Sequence, residues 1–542
     1  MVQETIENIL VIAIFAGLIG WPIIRWIRRK VRARELAEKN ARERAERERL
    51  EACGEVVRFF ANQMGYVARQ VISREELERR VDAGVAADDL CQEVTSRISE
   101  VPGVHLGRQV FADFEVPVVL PESYRDRHVY VVGKSGYGKS NLLRNLILQD
   151  MAAGHGVGVI APEQETITEE ILPFIPEDRI EEVIYFNPAD QERPVVFNPL
   201  ELDDEDNLDL RVDETFTILN RALGDCGPRS DQILRHSLYA LTELPETTLL
   251  DIFPLLDRQD GSMRKRIIAE SRDEQTVGFF RDVYPQMPVD AGLPVLNRIG
   301  GMIRHKPVRN CLCGTRSTLN IRDAVDGGKI LLFNLSDGIL GPRASQLLGQ
   351  LIISKVQVAF MGRADAPKHK RRRFYLFVDE FQSFVGVASV SYELILSRAR
   401  KYGLGLVLAH QQTGQIPLEL LREVLGNVST LVSFQVSQAD ATKLAKEFVT
   451  ECDGEVIQAE PEELLRLRIG QALCRIGETS FMLKTELFDR KPDHALARRV
   501  IEASRQRYGS PQRESGRADL QQDLGKSSED LPFKDLDPGE VF

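Results

Sequence analysis

Eight consecutive residues, Gly133-Lys134-Ser135-Gly136-Tyr137-Gly138-Lys139-Ser140, have the spacing G-x-x-x-x-G-K-[ST]. Glycines at these places let backbone N–H groups turn toward a phosphate. A helix opening there, through Asn141, adds partial positive charge. Lys139 is placed to reach the β- and γ-phosphates of a nucleoside triphosphate, and Ser140 to ligate magnesium. The expected ligand is therefore ATP with Mg2+, held by residues 133–141. A second constellation is Asp379-Glu380, directly after the apolar run Phe374-Tyr375-Leu376-Phe377-Val378. Carboxylates at the carboxyl end of a parallel strand stand beside a ligand at the sheet's open edge. Asp379 is expected to hold magnesium through water, and Glu380 to orient and polarise the attacking water.

A third site follows Leu404–Ala409, where the chain reads His410-Gln411-Gln412. A neutral polar side chain at such a strand end can report on a γ-phosphate, and Gln411 is the candidate. His410 reads as a structural neighbour. Arg398 and Arg400 precede Lys401-Tyr402-Gly403 on a helical stretch. Either could reach the γ-phosphate of a neighbouring subunit and stabilise transition-state charge, or be an ordinary surface arginine.

These groups need a scaffold. His128–Val132 is a buried-strand pattern running into the glycine loop, and Asn141–Gln149 reads as the helix after it. Gly154–Ile160 and Val183–Phe186 are further strand patterns, and Val104–Leu120 suggests short strands before the loop. Asn207–Asn320 changes to apolar residues at helical spacing. Strand patterns return at Ile330–Asn334, Phe374–Val378, Gly405–Ala409 and Thr430–Gln435. Strands separated by helices predict an α/β fold, a P-loop NTPase core with a mainly parallel sheet covered on both faces. The expected organisation is a core in two parts, residues 104–206 and 326–505, around a mainly helical insertion at 207–325. A polar tail at 506–542, expected to be disordered, ends the chain.

The amino-terminal region has a different character. Ile9–Ile24 is uncharged and almost wholly apolar, preceded by Glu4 and Glu7 and followed by Arg25, Arg28, Arg29, Lys30, Arg32 and Arg34. Trp21 and Trp26 suit a headgroup layer. The order of charges is the reverse of a cleaved signal peptide. Residues 1–30 thus predict one transmembrane helix, with the bulk of the chain on the cytoplasmic side of the inner membrane. Residues 31–103 read as a charged helical stalk and helical region, with i,i+4 pairs along Ala33–Glu51. The 542-residue chain has net charge −12, which disfavours general coating of nucleic acid but not a local grip. Its seven cysteines include one close pair, Cys311 and Cys313, a weak metal signal beside the plainer reading of free thiols. The basic run Lys368–Arg373 could touch phosphates or be a solvated loop. No base-reading motif is present, so nucleic acid would be held without sequence preference.

Several blocks together resemble the HerA/FtsK-like P-loop ATPases, and more narrowly the TraG/TraD-type coupling proteins of conjugative type IV secretion. They are Arg127-His128, Phe197-Asn198-Pro199-Leu200, Leu331–Ser336, Val378-Asp379-Glu380-Phe381-Gln382, Ser397–Gly403 with Leu408–Gln412, Gly426-Asn427-Val428 and Asp440-Ala441. The resemblance covers roughly residues 106–448. It implies a homo-hexameric ring with ATP between subunits, a helical insertion forming a separate lobe, and DNA passing through a central channel. It also implies secretion-channel or relaxosome proteins as partners. Ala161-Pro162-Glu163-Gln164 departs from the acidic-Pro-His-Gly turn of many relatives, so that turn's role here is open. Within the superfamily a HerA-like DNA processor or a VirB-type secretion ATPase are alternatives. A membrane scaffold using ATP as an assembly switch is a reading of a different class, disfavoured by the intact Glu380.

Overall fold

The computed structural model describes residues 21–58, 71–111, 114–202, 208–222, 227–385, 389–452 and 455–510. The chain divides into two compact units, one built mainly from residues 1–101 and one from most of the remainder.

In the first unit, helix Trp21–Arg58 carries the Arg- and Glu-rich stretch, with exposed i,i+4 pairs such as Arg34–Glu38 and Lys39–Glu43. Its end packs with Arg74–Asp82 and Ala87–Ser99 around Cys53, Val56, Leu77, Leu90 and Val94. Ser73 caps its helix by accepting from the Glu76 N–H, which satisfies an otherwise orphan donor. Among the described residues no helix is long and apolar enough to cross a membrane. The expected anchor, Ile9–Ile24, lies outside the described residues except for its last four positions, which open helix Trp21–Arg58.

The second unit is built on a sheet whose strands, in chain order, are β1 (Gly103–Phe111), β2 (Phe114–Pro121), β3 (Val129–Val132), β4 (Gly156–Ala161), β5 (Val183–Phe186), β6 (Ile330–Asn334), β7 (Phe374–Val378), β8 (Leu404–His410), β9 (Thr430–Ser433), β12 (Gln471–Ile476) and β13 (Thr479–Lys484); a separate pair is β10 (Val449–Cys452) and β11 (Glu455–Gln458). The spatial order of the eleven-stranded sheet is β2-β1-β13-β12-β9-β3-β8-β7-β4-β6-β5. From β9 to β5 every pairing is parallel. β12 and β13 pair antiparallel and extend the sheet past β9.

The parallel strands are buried throughout because both faces are covered. Alternate residues feed two cores, as the two-residue strand period requires. Tyr130, Val132, Phe374, Leu376 and Val378 enter one cluster, and Val129, Val131, Tyr375 and Phe377 the other. Helix Lys139–Ala152 covers the second face with Leu142, Leu146 and Met151. The expected helical insertion forms helices from Leu208 to Leu312, including Leu208–Ala222 and Pro228–Glu243. Its buried residues, among them Val212, Leu219, Leu238 and Ile299, are continuous with the cluster on the first face. They join that cluster through helix Leu208–Ala222, which packs on helix Pro342–Gly362.

Two further differences concern the carboxyl-terminal part. The hairpin β12–β13 was not among the predicted strands, although Gly477-Glu478 between them is a two-residue Gly-X turn, with Gly477 at φ 62°. The tail was expected from residue 506, but helix His494–Tyr508 runs through that point. Ser510 then donates its N–H to Pro194 O at 2.9 Å. Residues 511–542 lie outside the described residues.

Candidate active site

The site residues stand where three neighbouring strands end. β8 lies between β3 and β7, so Gln411 falls between the glycine loop and the Asp379-Glu380 pair. The loop leaves β3 at Gly133, whose N–H donates to His410 O at 3.2 Å, and Lys134 N–H donates to Gln435 O at 2.8 Å. Gly133 has φ 156°, and a Cβ there would lie 2.5 Å from Phe434 Cβ, so only glycine fits. Gly138, at φ 119°, precedes the helix that begins with Lys139 and Ser140. Ser135 and Gly136 are exposed at the loop's tip, and Tyr137 O accepts from Gly470 N–H at 3.0 Å.

Lys139 is 5% exposed and makes no ion pair among the described residues. Ser140 and Asp379 line one crevice with Thr166 and Glu170. Asp379 is buried, and desolvation together with the adjacent Glu380 pushes its carboxyl up to about 7. Lys139 and the Glu380 N–H oppose this rise, while Glu163 adds to it. Glu163, in the turn that departs from the relatives' pattern, thus contributes negative charge to the same site. A buried cation with no ion pair among the described residues and a glycine cradle are the complement of a polyphosphate, and a magnesium ion beside Asp379 would favour its ionised carboxylate.

Glu380 has φ 44°, in the left-handed region, which costs a non-glycine residue roughly 1–3 kcal/mol. The neighbouring hydrogen bonds explain the turn. Asp379 N–H donates back to Ile160 O of β4, and Phe381 N–H donates to Ala409 O of β8, each at 3.0 Å. The reversal between them projects the Glu380 carboxylate, and both its oxygens are held. Gln411 Nε2 donates to Oε1 at 3.0 Å and Gln382 Nε2 to Oε2 at 2.7 Å. Gln382 was given no role from sequence; its spacing two residues after Glu380 was the available signal.

Residues 340–461 match the family model of the type IV secretion-system coupling protein DNA-binding domain. The resemblance read from the sequence is therefore found independently over that stretch, which holds Asp379, Glu380, Gln382 and Gln411. Comparison with curated protein sequences returns no match. Among solved structures, VirB4 of Thermoanaerobacter pseudethanolicus is similar at 16% identity and TM-score 0.50, covering 71% of this chain and 96% of that one. The bacterial conjugative coupling protein TrwB lacking its first 70 residues matches at 17% identity and TM-score 0.49, covering 70% and 88%. TrwB in complex with ADP and Mg2+ matches at 18% identity and TM-score 0.47, covering 69% and 89%. The likeness to VirB4 shows a shared fold.

Other candidates are placed differently. Asn141 is turned to the chain's later segment, donating to Glu486 O at 2.7 Å and accepting from Phe488 N–H at 3.0 Å. Arg398 and Arg400 are exposed. Arg400 lies just before β8, at the opposite end of that strand from Gln411, which seven strand residues put about 20 Å away. Its own chain's phosphate loop is therefore out of reach. His410 is fully buried, with Nε2 2.5 Å from Tyr130 Oη, and burial and Lys139 push its pKa down to about 3. That suits a neutral structural neighbour rather than a base. His128 is likewise neutral, its pKa lowered to about 4 by burial; it accepts from Leu406 N–H at 3.0 Å and its Nε2 lies 3.2 Å from Leu396 O. Cys311 and Cys313 are buried free thiols, and among the described residues no cluster of His, Cys, Asp and Glu could hold a metal.

The raised pKa of Asp379 has a measurable consequence in the absence of nucleotide and magnesium. The folded chain holds a proton there up to about pH 7, whereas an unfolded Asp releases it near its ordinary value of 3.8. Folding is therefore favoured as pH falls through 7, and this gain saturates below about pH 4. The expected result is that Asp379→Asn is the more thermostable protein at pH 8 and that its advantage shrinks by pH 6. Parallel melting-temperature profiles for the two proteins would show that Asp379 ionises normally.

Proposed function

We propose that this chain is a membrane-anchored ATPase that moves DNA, a motor of the coupling-protein kind serving conjugative or type IV secretion transfer. The observation that carries the proposal is the convergence of the glycine loop, the Asp379-Glu380 pair and Gln411 at one edge of a parallel sheet. Lys139 neutralises charge on the β- and γ-phosphates. Magnesium, held by Ser140 and through water by Asp379, would neutralise the remaining phosphate charge. Glu380 orients the attacking water and draws on its proton, and Gln382 and Gln411 fix the carboxylate while leaving it lone pairs for that water. Gln411, next to the loop, links the state of the γ-phosphate to the position of Glu380. Arg398 or Arg400 would act on a phosphate only from a neighbouring copy in a ring. DNA is the proposed cargo because the matched family model is a DNA-binding domain.

The test is ATP hydrolysis by the full chain with no DNA, with single-stranded DNA and with duplex DNA. Stimulation by either form supports the motor, and hydrolysis indifferent to both would remove DNA from the reading. The fold shared with VirB4 is equally compatible with a second reading, a VirB-type secretion ATPase, whose hydrolysis would be indifferent to DNA. The apolar run Ile9–Ile24 supports the anchor. Deleting residues 1–30 is expected to shift the protein from the membrane fraction to the soluble one, and unchanged fractionation would point to another attachment.

A further inference from the structure

The edge of the sheet opposite the candidate active site carries a second concavity. A cleft of about 420 Å³ opens beside the starts of β4, β7 and β8. Lys368, Arg371, Arg372, Arg373, Arg400 and Lys401 line it, with Asp126 as the single lining carboxylate. Six cations gathered in one cleft stand out in a chain of net charge −12.

The cleft is built rather than incidental. Arg363, fully buried beneath it, donates to Arg372 O at 2.9 Å and to Tyr402 O at 3.0 Å, and pairs with Asp326 at 2.6 Å. This fastens the segment before β7 to the segment before β8. Arg371 stitches the same two segments, donating to Ala366 O at 2.7 Å and to Lys401 O at 2.6 Å. Arg372 donates to Gly327 O at 2.9 Å. Carbonyl partners hold these guanidinium groups in place without cancelling their charge. Arg373 differs, being paired with Glu122 and Asp126. Lys368, Arg400 and Lys401 are exposed and make no ion pair among the described residues.

We infer that this cleft grips the phosphodiester backbone of nucleic acid, on the face of the sheet edge away from the ATP site. The inference deepens the proposed DNA-moving function and rests on it. Fixed positive charges without base-reading groups suit phosphates and confer no sequence preference. All six cations fall within residues 340–461, the stretch that matches the DNA-binding family model.

The experiment is oligonucleotide binding by the full chain across a series of salt concentrations. Lys368→Gln with Lys401→Gln removes two exposed charges and leaves the stitched arginines intact. The slope of log affinity against log salt is expected to shrink by about 1.4 for single strands, roughly 0.7 for each lost phosphate contact. Lys368→Glu with Lys401→Glu should weaken binding on the order of tenfold or more. Thermal unfolding checks the fold of both variants. Lys443→Gln with Lys446→Gln, exposed lysines outside the cleft, serves as the charge-matched control. An unchanged slope in the cleft variant, or an equal loss in the control, overturns the assignment. Dependence on Lys368 and Lys401 for phosphatidylserine vesicles but not for oligonucleotide overturns it in favour of a lipid surface. Wild type that binds no oligonucleotide defeats the DNA-moving function as well, whereas binding that is equal in wild type and cleft variant defeats this inference alone.

Discussion

Glu380→Gln is expected to bind ATP with near wild-type affinity and to hydrolyse it two to four orders of magnitude more slowly, the usual worth of a positioned general base. The structure makes the substitution sharper than a loss of charge. Both oxygens of Glu380 accept from glutamine amides, Gln411 at 3.0 Å and Gln382 at 2.7 Å. A glutamine in its place offers one oxygen and one NH2, so one of the two partner amides must turn its own oxygen toward the new NH2. The side chain then loses the charge that polarises water, and the clamp that aims it must rearrange. Single-turnover measurement of ATP cleavage, with bound nucleotide counted separately, checks this. Wild-type turnover in the variant would mean that another group orients the water.

Lys139→Ala is expected to weaken ATP binding by roughly 10- to 150-fold, the equivalent of a charged hydrogen bond of about 1.5–3 kcal/mol, and to abolish measurable hydrolysis. Lys139 is buried at the start of the loop's helix and makes no ion pair among the described residues, so its charge is available to the phosphates. Its removal acts on magnesium too. Lys139 is one of the charges that hold the Asp379 pKa down, and without it the carboxyl binds its proton more tightly. A protonated Asp379 is a poorer partner for hydrated magnesium, so the magnesium dependence of the remaining ATP binding should weaken at neutral pH. Calorimetric titration of ATP with and without Mg2+ measures both effects, and unchanged affinity would contradict the assignment of residues 133–140 as the phosphate loop.

Much of this site was legible in the chain because its parts are local. The glycine loop needs its spacing, a strand before it and a helix after it, and these lie within about twenty residues. The buried strands announced themselves as short apolar runs, and Val183–Phe186, Ile330–Asn334 and Phe374–Val378 form strands at the predicted bounds. Asp379-Glu380 was readable for the same reason, as carboxylates at the end of such a run. The hairpin β12–β13 was less legible because a half-exposed antiparallel strand such as Thr479–Lys484 mixes polar and apolar residues.

The sequence by itself therefore determined the parallel strands and, at their ends, the candidates proposed to cradle phosphate and to serve magnesium and water. Tertiary structure decided which of the remaining candidates meet. The order β3-β8-β7 is a fact of long-range pairing, and it alone brings Gln411 to Glu380 across 31 positions of chain. The same pairing sends Arg400 to the far end of β8 and gathers it with Lys368 and Lys401 in a basic cleft. Asn141 lies one residue after Ser140, yet its amide is taken by Glu486 and Phe488, hundreds of residues away. Local spacing fixes which way a side chain can point within its own element, whereas strand order and packing fix what it meets there, and only the folded sheet supplies those.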